Sequence, residues 1–143
     1  MHEDTFDRVL VPIASEQDAE STCEALLEYL PENGAQVHVV HVIEKAGGAP
    51  DKASVSQREE RAERIFEHCR SVLGETAISL ETEILYGTSV AETLLDHAQS
   101  IDASAVVFTP RGASRWVKLL TGSVTENLLT GTDRPIVVLP QED

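Results

Sequence analysis

Apolar positions along the chain change period repeatedly, and each change marks an element. Arg8 to Ile13 (RVLVPI) is a short, nearly continuous apolar run rich in β-branched residues, the pattern of a strand buried on both faces. Ser15 then offers an N-cap, and Ala19, Cys23, Leu26, Leu27 and Leu30 recur at helical spacing until Pro31 and Gly34 stop the helix. Ala35 to Ile43 (AQVHVVHVI) reads as a second buried strand. Gly47, Gly48 and Pro50 make Glu44 to Ser54 a mobile surface loop. Ser56 and Glu59 form a capping-box pattern ahead of a long helix, whose apolar stripe is Ala62, Ile65, Phe66, Cys69, Val72 and Leu73 and whose stop is Gly74. Ser79 to Tyr86 (SLETEILY) alternates, as a strand does when one face is exposed at a sheet edge. Gly87 turns the chain, and Ser89 with Glu92 caps a helix that buries Ala91, Leu94, Leu95 and Ala98. Ala103 to Phe108 is a further apolar strand, a helix begins at Gly122-Ser123, and Pro135 to Leu139 is the last strand.

Strands alternating with amphipathic helices imply a mostly parallel sheet with right-handed crossovers and helices on both faces. The expected fold is therefore α/β, a doubly wound five-stranded parallel sheet, and residues 1–143 form one domain. No apolar run reaches the ~20 residues that span a bilayer, and the polar start MHEDTFDR is unlike a signal peptide, so a cytoplasmic location is expected.

Charge narrows the partners. The formal net charge is −14, with 25 acidic residues against only three lysines (Lys45, Lys52 and Lys118). Such a field repels nucleic acid and anionic membranes, so neither is expected as a partner. The shortage of lysine resembles the proteins of salt-loving organisms, in which high salt screens self-repulsion. Cys23 and Cys69 both fall on apolar helix positions, where buried reduced thiols are expected.

Against this acidic background, the stretch from Ala103 to Glu126 stands out because Arg111, Arg115 and Lys118 lie within it. A strand, a glycine turn and a helix start are the parts of a phosphate site, since free N–H groups and the helix dipole favour an anion there. Gly112, nine residues and then Gly122-Ser123, followed by the strand Pro135 to Leu139, resemble the universal stress protein family. Its nucleotide-binding members carry G-x-x-G-x9-G-[ST] at this place. Gly112, Gly122 and Ser123 match that pattern, and Thr109 stands at its first glycine.

The resemblance implies an adenine nucleotide alpha hydrolase-like fold with strand order 3-2-1-4-5, of the single-domain haloarchaeal type. It also implies an ATP site at Ile13, Ala14, Val42, Thr109, Arg111, Gly112, Gly122, Ser123 and Val124. The crevice would open where the strand order reverses, beyond Ile13 and Phe108. Ser123 also begins a capping box with Glu126, which alone accounts for a serine there. Arg111 can clamp phosphate, as can Arg115 and Lys118 if nearby acids do not hold them. Ala14 stands where relatives carry an acid that contacts the nucleoside, so that acceptor is missing. Dimerisation through Ile136 to Leu139 is likewise implied.

Other chemistry finds no support in the spacing. His38 and His41 are three apart on a strand and face opposite ways, so they cannot share a metal, and His2, His68 and His97 lack ligand-spaced companions. Walker A, nucleophile-elbow and paired-cysteine zinc patterns do not occur. Two readings follow. The first is a stress-response regulatory module with weak or altered adenine-nucleotide binding. The second is a dimeric interaction protein that binds no nucleotide and regulates a partner such as a transporter. No metal and no efficient enzyme is expected, slow ATP hydrolysis or autophosphorylation apart.

Overall fold

The computed structural model describes residues 6–31, 34–44, 52–74, 79–108 and 135–139. Arg8–Pro12 (β1) lies at the centre of a parallel sheet whose other strands are Gln36–Glu44 (β2), Ser79–Gly87 (β3), Ala105–Phe108 (β4) and Ile136–Val138 (β5). Their order is β3-β2-β1-β4-β5, as the resemblance implies. Among the described residues, β1 to β4 are joined in chain order through helices Glu16–Leu27 (α1), Lys52–Leu73 (α2) and Val90–Ser100 (α3).

Alternation along each strand divides the core in two. Val9, Val11, Val37, Val39, Ala105 and Val107 pack beneath α1 and α2, which contribute Ala19, Cys23, Leu26, Ile65 and Phe66. Leu10, Val40, Val42, Leu85 and Val106 meet Leu94 and Ala98 of α3 on the opposite face. Period-2 burial on both sides is what a central parallel strand requires, and it explains the unbroken apolar runs in the sequence. Edge strand β3 differs, with buried and exposed residues in alternation.

Local chemistry places the ends. Ser15 caps α1 by accepting the Asp18 N–H at 3.1 Å, and Ser89 caps α3 by accepting the Glu92 N–H at 3.3 Å. The Ser104 hydroxyl ties β4 to the start of β1, accepting the Arg8 N–H at 2.9 Å and donating to the Arg8 carbonyl at 2.8 Å. Two sequence expectations need correction. Helix α2 begins at Lys52, so residues 52–54 belong to it and Ser56 is interior; the Ser56–Glu59 pattern is not its cap. Lysine, alanine and valine before Ser56 allow a helix to continue, and a capping-box spacing also arises by chance inside one. Glu44 closes β2 rather than opening a loop, and residues 45–51 lie outside the described residues. Leu27, expected on the core face of α1, is 37% exposed, because the helix ends there and Leu30 beyond it takes the packing position.

Candidate functional site

The order β3-β2-β1-β4-β5 reverses between β1 and β4, and in sheets of this kind ligands bind beyond the strand ends at that point, here beyond Pro12 and Phe108. The β1–α1 turn stands at this end of the sheet. Ile13 extends the ladder by donating its N–H to the Val40 carbonyl at 2.9 Å. Its own carbonyl accepts a 2.8 Å hydrogen bond from His41 Nδ1, which fixes the proton on that nitrogen because a carbonyl can only accept. His41 is buried, and it stands on the sheet face opposite His38, as alternation demands.

Ala14 follows, half-buried, and donates its N–H to Asp18 Oδ2 at 2.8 Å. The other oxygen of that carboxylate accepts from Thr22 Oγ1 at 2.7 Å, and both Asp18 and Thr22 are buried. Asp18 is therefore directed into the protein, where its charge is neutralised by hydrogen bonding and the helix N-terminus. It does not substitute for the acceptor that Ala14 lacks. Sequence reading missed this carboxylate; Ser15 followed three residues later by an acid has capping-box spacing, but Asp18 accepts from the Ala14 N–H, one residue before the cap.

The far end of β2 lies beside the β1–α1 turn. Val40 points its carbonyl towards β1, and Val42, two residues on, directs its backbone groups to the same side, past the last β1–β2 bond. Its side chain is buried against the α3 core. Ile13, Ala14 and Val42 are thus brought to one end of the sheet. Thr109, Arg111, Gly112, Gly122, Ser123 and Val124 lie outside the described residues, as do Arg115, Trp116 and Lys118.

Away from the crevice, His38 and His97 meet on the α3 side of β2 and β3, in a cavity of about 410 Å³ with Glu81, Thr82, Glu83 and Ile101. His38 Nδ1 lies 3.2 Å from Glu81 and His97 Nδ1 lies 3.7 Å from Glu83. Burial lowers the His38 pKa from its ordinary value, outweighing the opposite pull of Glu81. Sequence spacing could not pair these histidines, because the strand–helix crossovers bring them together. Cys23 and Cys69 are free, buried and in contact; the hydrogen bond to Cys69 and then burial push the Cys23 thiol pKa up, away from nucleophilic use. Among the described residues, no three His, Cys, Asp or Glu side chains are arranged to hold a metal ion, and no helix is long and apolar enough to cross a membrane.

The sheet order and helices on both faces define an adenine nucleotide alpha hydrolase-like α/β fold. The universal stress protein family model matches residues 5–140, and the chain belongs to that family. It is 33% identical over 81 residues to the stress response protein NhaX of Bacillus subtilis (strain 168), an alignment that covers 57% of this chain and 48% of the relative. The chain thus matches about half the length of that relative. Among solved structures, the hypothetical protein MJ0577 superimposes with a TM-score of 0.70 at 18% identity, over 98% of this chain and 99% of the other. The universal stress protein from Archaeoglobus fulgidus in complex with dAMP gives a TM-score of 0.59 at 20% identity, over 95% and 99% of the two chains. At these identities the likeness is one of fold.

Proposed function

We propose that this chain is a stress-response regulatory module that binds an adenine nucleotide, weakly or with altered contacts, in the crevice beyond β1 and β4. The observation that supports this reading is local: Ile13 extends the β1–β2 ladder by bonding to Val40, and Val42 lies beyond that last bond at the same end of the sheet. The complex of the A. fulgidus relative with dAMP supports the choice of ligand. Backbone groups at residues 13 and 42 would face the base. Thr109, Arg111, Gly112, Gly122, Ser123 and Val124 would take the phosphates and ribose. Ala14 offers only its Cβ, and its N–H is already given to Asp18, so about 1–2 kcal/mol of specific binding is absent relative to a site with an acceptor there. ATP is the ligand we favour. We assign no efficient catalysis, and we take the module to act in the cytoplasm as a homodimer.

That missing acceptor favours a second reading, a dimeric interaction protein that binds no nucleotide and regulates a partner such as a transporter. Calorimetric titration with ATP, AMP and inorganic phosphate in molar salt separates the two. The expected result is saturable ATP binding that is lost in the variant Gly122→Val with Ser123→Ala. Phosphate binding without nucleotide preference would leave only an anion site. Absence of heat with all three would overturn the nucleotide reading.

A further inference from the structure

Cys23 and Cys69 are the two cysteines of the chain, and the fold sets them side by side between α1 and α2. Both are fully buried, and the Cys23 thiol is hydrogen-bonded to Cys69. The core that encloses them is apolar, with Ala19 and Leu26 from α1 and Ile65 and Phe66 from α2. Thiols in hydrogen-bonding contact need only a short approach to reach the disulfide bonding distance of about 2.05 Å. Closed packing keeps them inert. The contact with Cys69 and burial hold the Cys23 thiol protonated, whereas oxidants react with the thiolate.

Charge sets α1 against itself. Glu16, Glu20, Glu24 and Glu28 stand four apart, a spacing at which like charges repel along one helix face. Arg64 of α2 lies 3.0 Å from Glu16, at the N-terminal end. The last turn holds Glu24 and no basic residue, so an acid sits at the negative end of the helix dipole. Cys23 belongs to this half of the helix. Opening from the C-terminal end would uncover it while Ser15 and Asp18 still hold the start.

We propose that Cys23 and Cys69 form a redox site, which a hydroperoxide converts to a disulfide when the C-terminal half of α1 opens and which then latches α1 to α2. In the open state one thiol gives its proton to solvent, and the thiolate attacks an oxygen of hydrogen peroxide. The O–O bond breaks, hydroxide leaves as water on taking up a proton, and the sulfur becomes a sulfenic acid. As the helices close, the second sulfur attacks the first. The S–S bond forms, the S–O bond breaks, and the departing hydroxide takes the second thiol's proton to give another water. Two thiols have then lost two electrons to one peroxide. The site answers only to oxidant and helix opening together, and it stands independently of nucleotide binding.

The test is mass spectrometry of the full chain after hydrogen peroxide treatment at pH 8, with remaining thiols blocked by N-ethylmaleimide. We expect an unblocked monomer lighter than the reduced chain by two hydrogens and restored by dithiothreitol. Oxidation should run at least threefold faster in 0.1 M than in 1 M salt, because salt screens the glutamate row. In 0.1 M salt, Glu20→Gln with Glu24→Gln should slow it at least threefold. Glu63→Gln with Glu67→Gln, on the exposed face of α2, should change it less than 1.5-fold. Amide hydrogen exchange at residues 23–27 should slow at least tenfold in the disulfide form. Thiols that remain blockable, a disulfide between two chains, or one formed only in urea that unfolds the chain would overturn the site. Equal slowing by the two variant pairs would overturn the gating by α1, and exchange unchanged by oxidation would overturn the latch.

Discussion

A buried carboxylate is tolerated only when its oxygens are occupied, and Asp18 meets that condition through Ala14 N–H and Thr22 Oγ1. The same residue receives the Ser15 cap at its own N–H, so the β1–α1 turn is closed from both directions. Removing the carboxylate takes the acceptor from two donors at a dry site. Asp18→Ala is therefore expected to destabilise the protein by about 2–4 kcal/mol, against about 1 kcal/mol for Ser15→Ala. Urea unfolding midpoints of the two variants give the comparison. A loss from Asp18→Ala no greater than that from Ser15→Ala would mean that water reaches the carboxylate. The turn also orients Ile13 at the crevice, so the same variant should weaken any ligand held there.

At the scale of elements, the β3–α3 junction shows how a strand is joined closely to a helix. Gly87 ends β3, and a Cβ built there would overlap Thr93 Oγ1. Thr93 cannot move aside freely, because that hydroxyl donates to the Ser89 carbonyl at 2.6 Å. Gly87→Ala should therefore lose about 1–3 kcal/mol by overpacking. Combined with Thr93→Ala the two losses should fall short of their sum by at least about 1 kcal/mol, since the clash needs both side chains. Simple additivity in denaturant unfolding would exclude the overlap. The turn at Gly87 was legible in the sequence, but not its cause, which depends on a side chain from the next element. Strands were legible wherever both faces are buried, because burial writes itself as an apolar run. The start of α2 was not, since Lys52 to Val55 carry no apolar period and a cap pattern lay just beyond them. Of the residues that the resemblance implies for a site, Ile13, Ala14 and Val42 lie at one end of the sheet and the others lie outside the described residues; the placing of His38 and His97 in one cavity depends on a crossover that no local pattern encodes.

For the whole molecule, the two sheet edges differ in what they invite. β3 presents Glu81 and Glu83, exposed charges that deter pairing with another strand. β5 presents apolar Ile136 and Val137, half-buried, and Val138, which is 44% exposed. An exposed apolar edge is a template for a second copy, and a two-fold axis lets the same strand serve both partners. Opposing this is a net charge of −14 on each protomer, whose repulsion falls as salt shortens the Debye length from ~10 Å at 0.1 M to ~3 Å at 1 M. Sedimentation should therefore find a homodimer whose dissociation constant tightens with salt. Val138→Lys puts a charge in the centre of the proposed contact and should give monomer at the same salt, with the unfolding midpoint of the monomer little changed because that side chain is already solvated. A dimer that survives Val138→Lys, or that loosens as salt rises, would mean that association uses another surface and that charge, not the β5 edge, holds it.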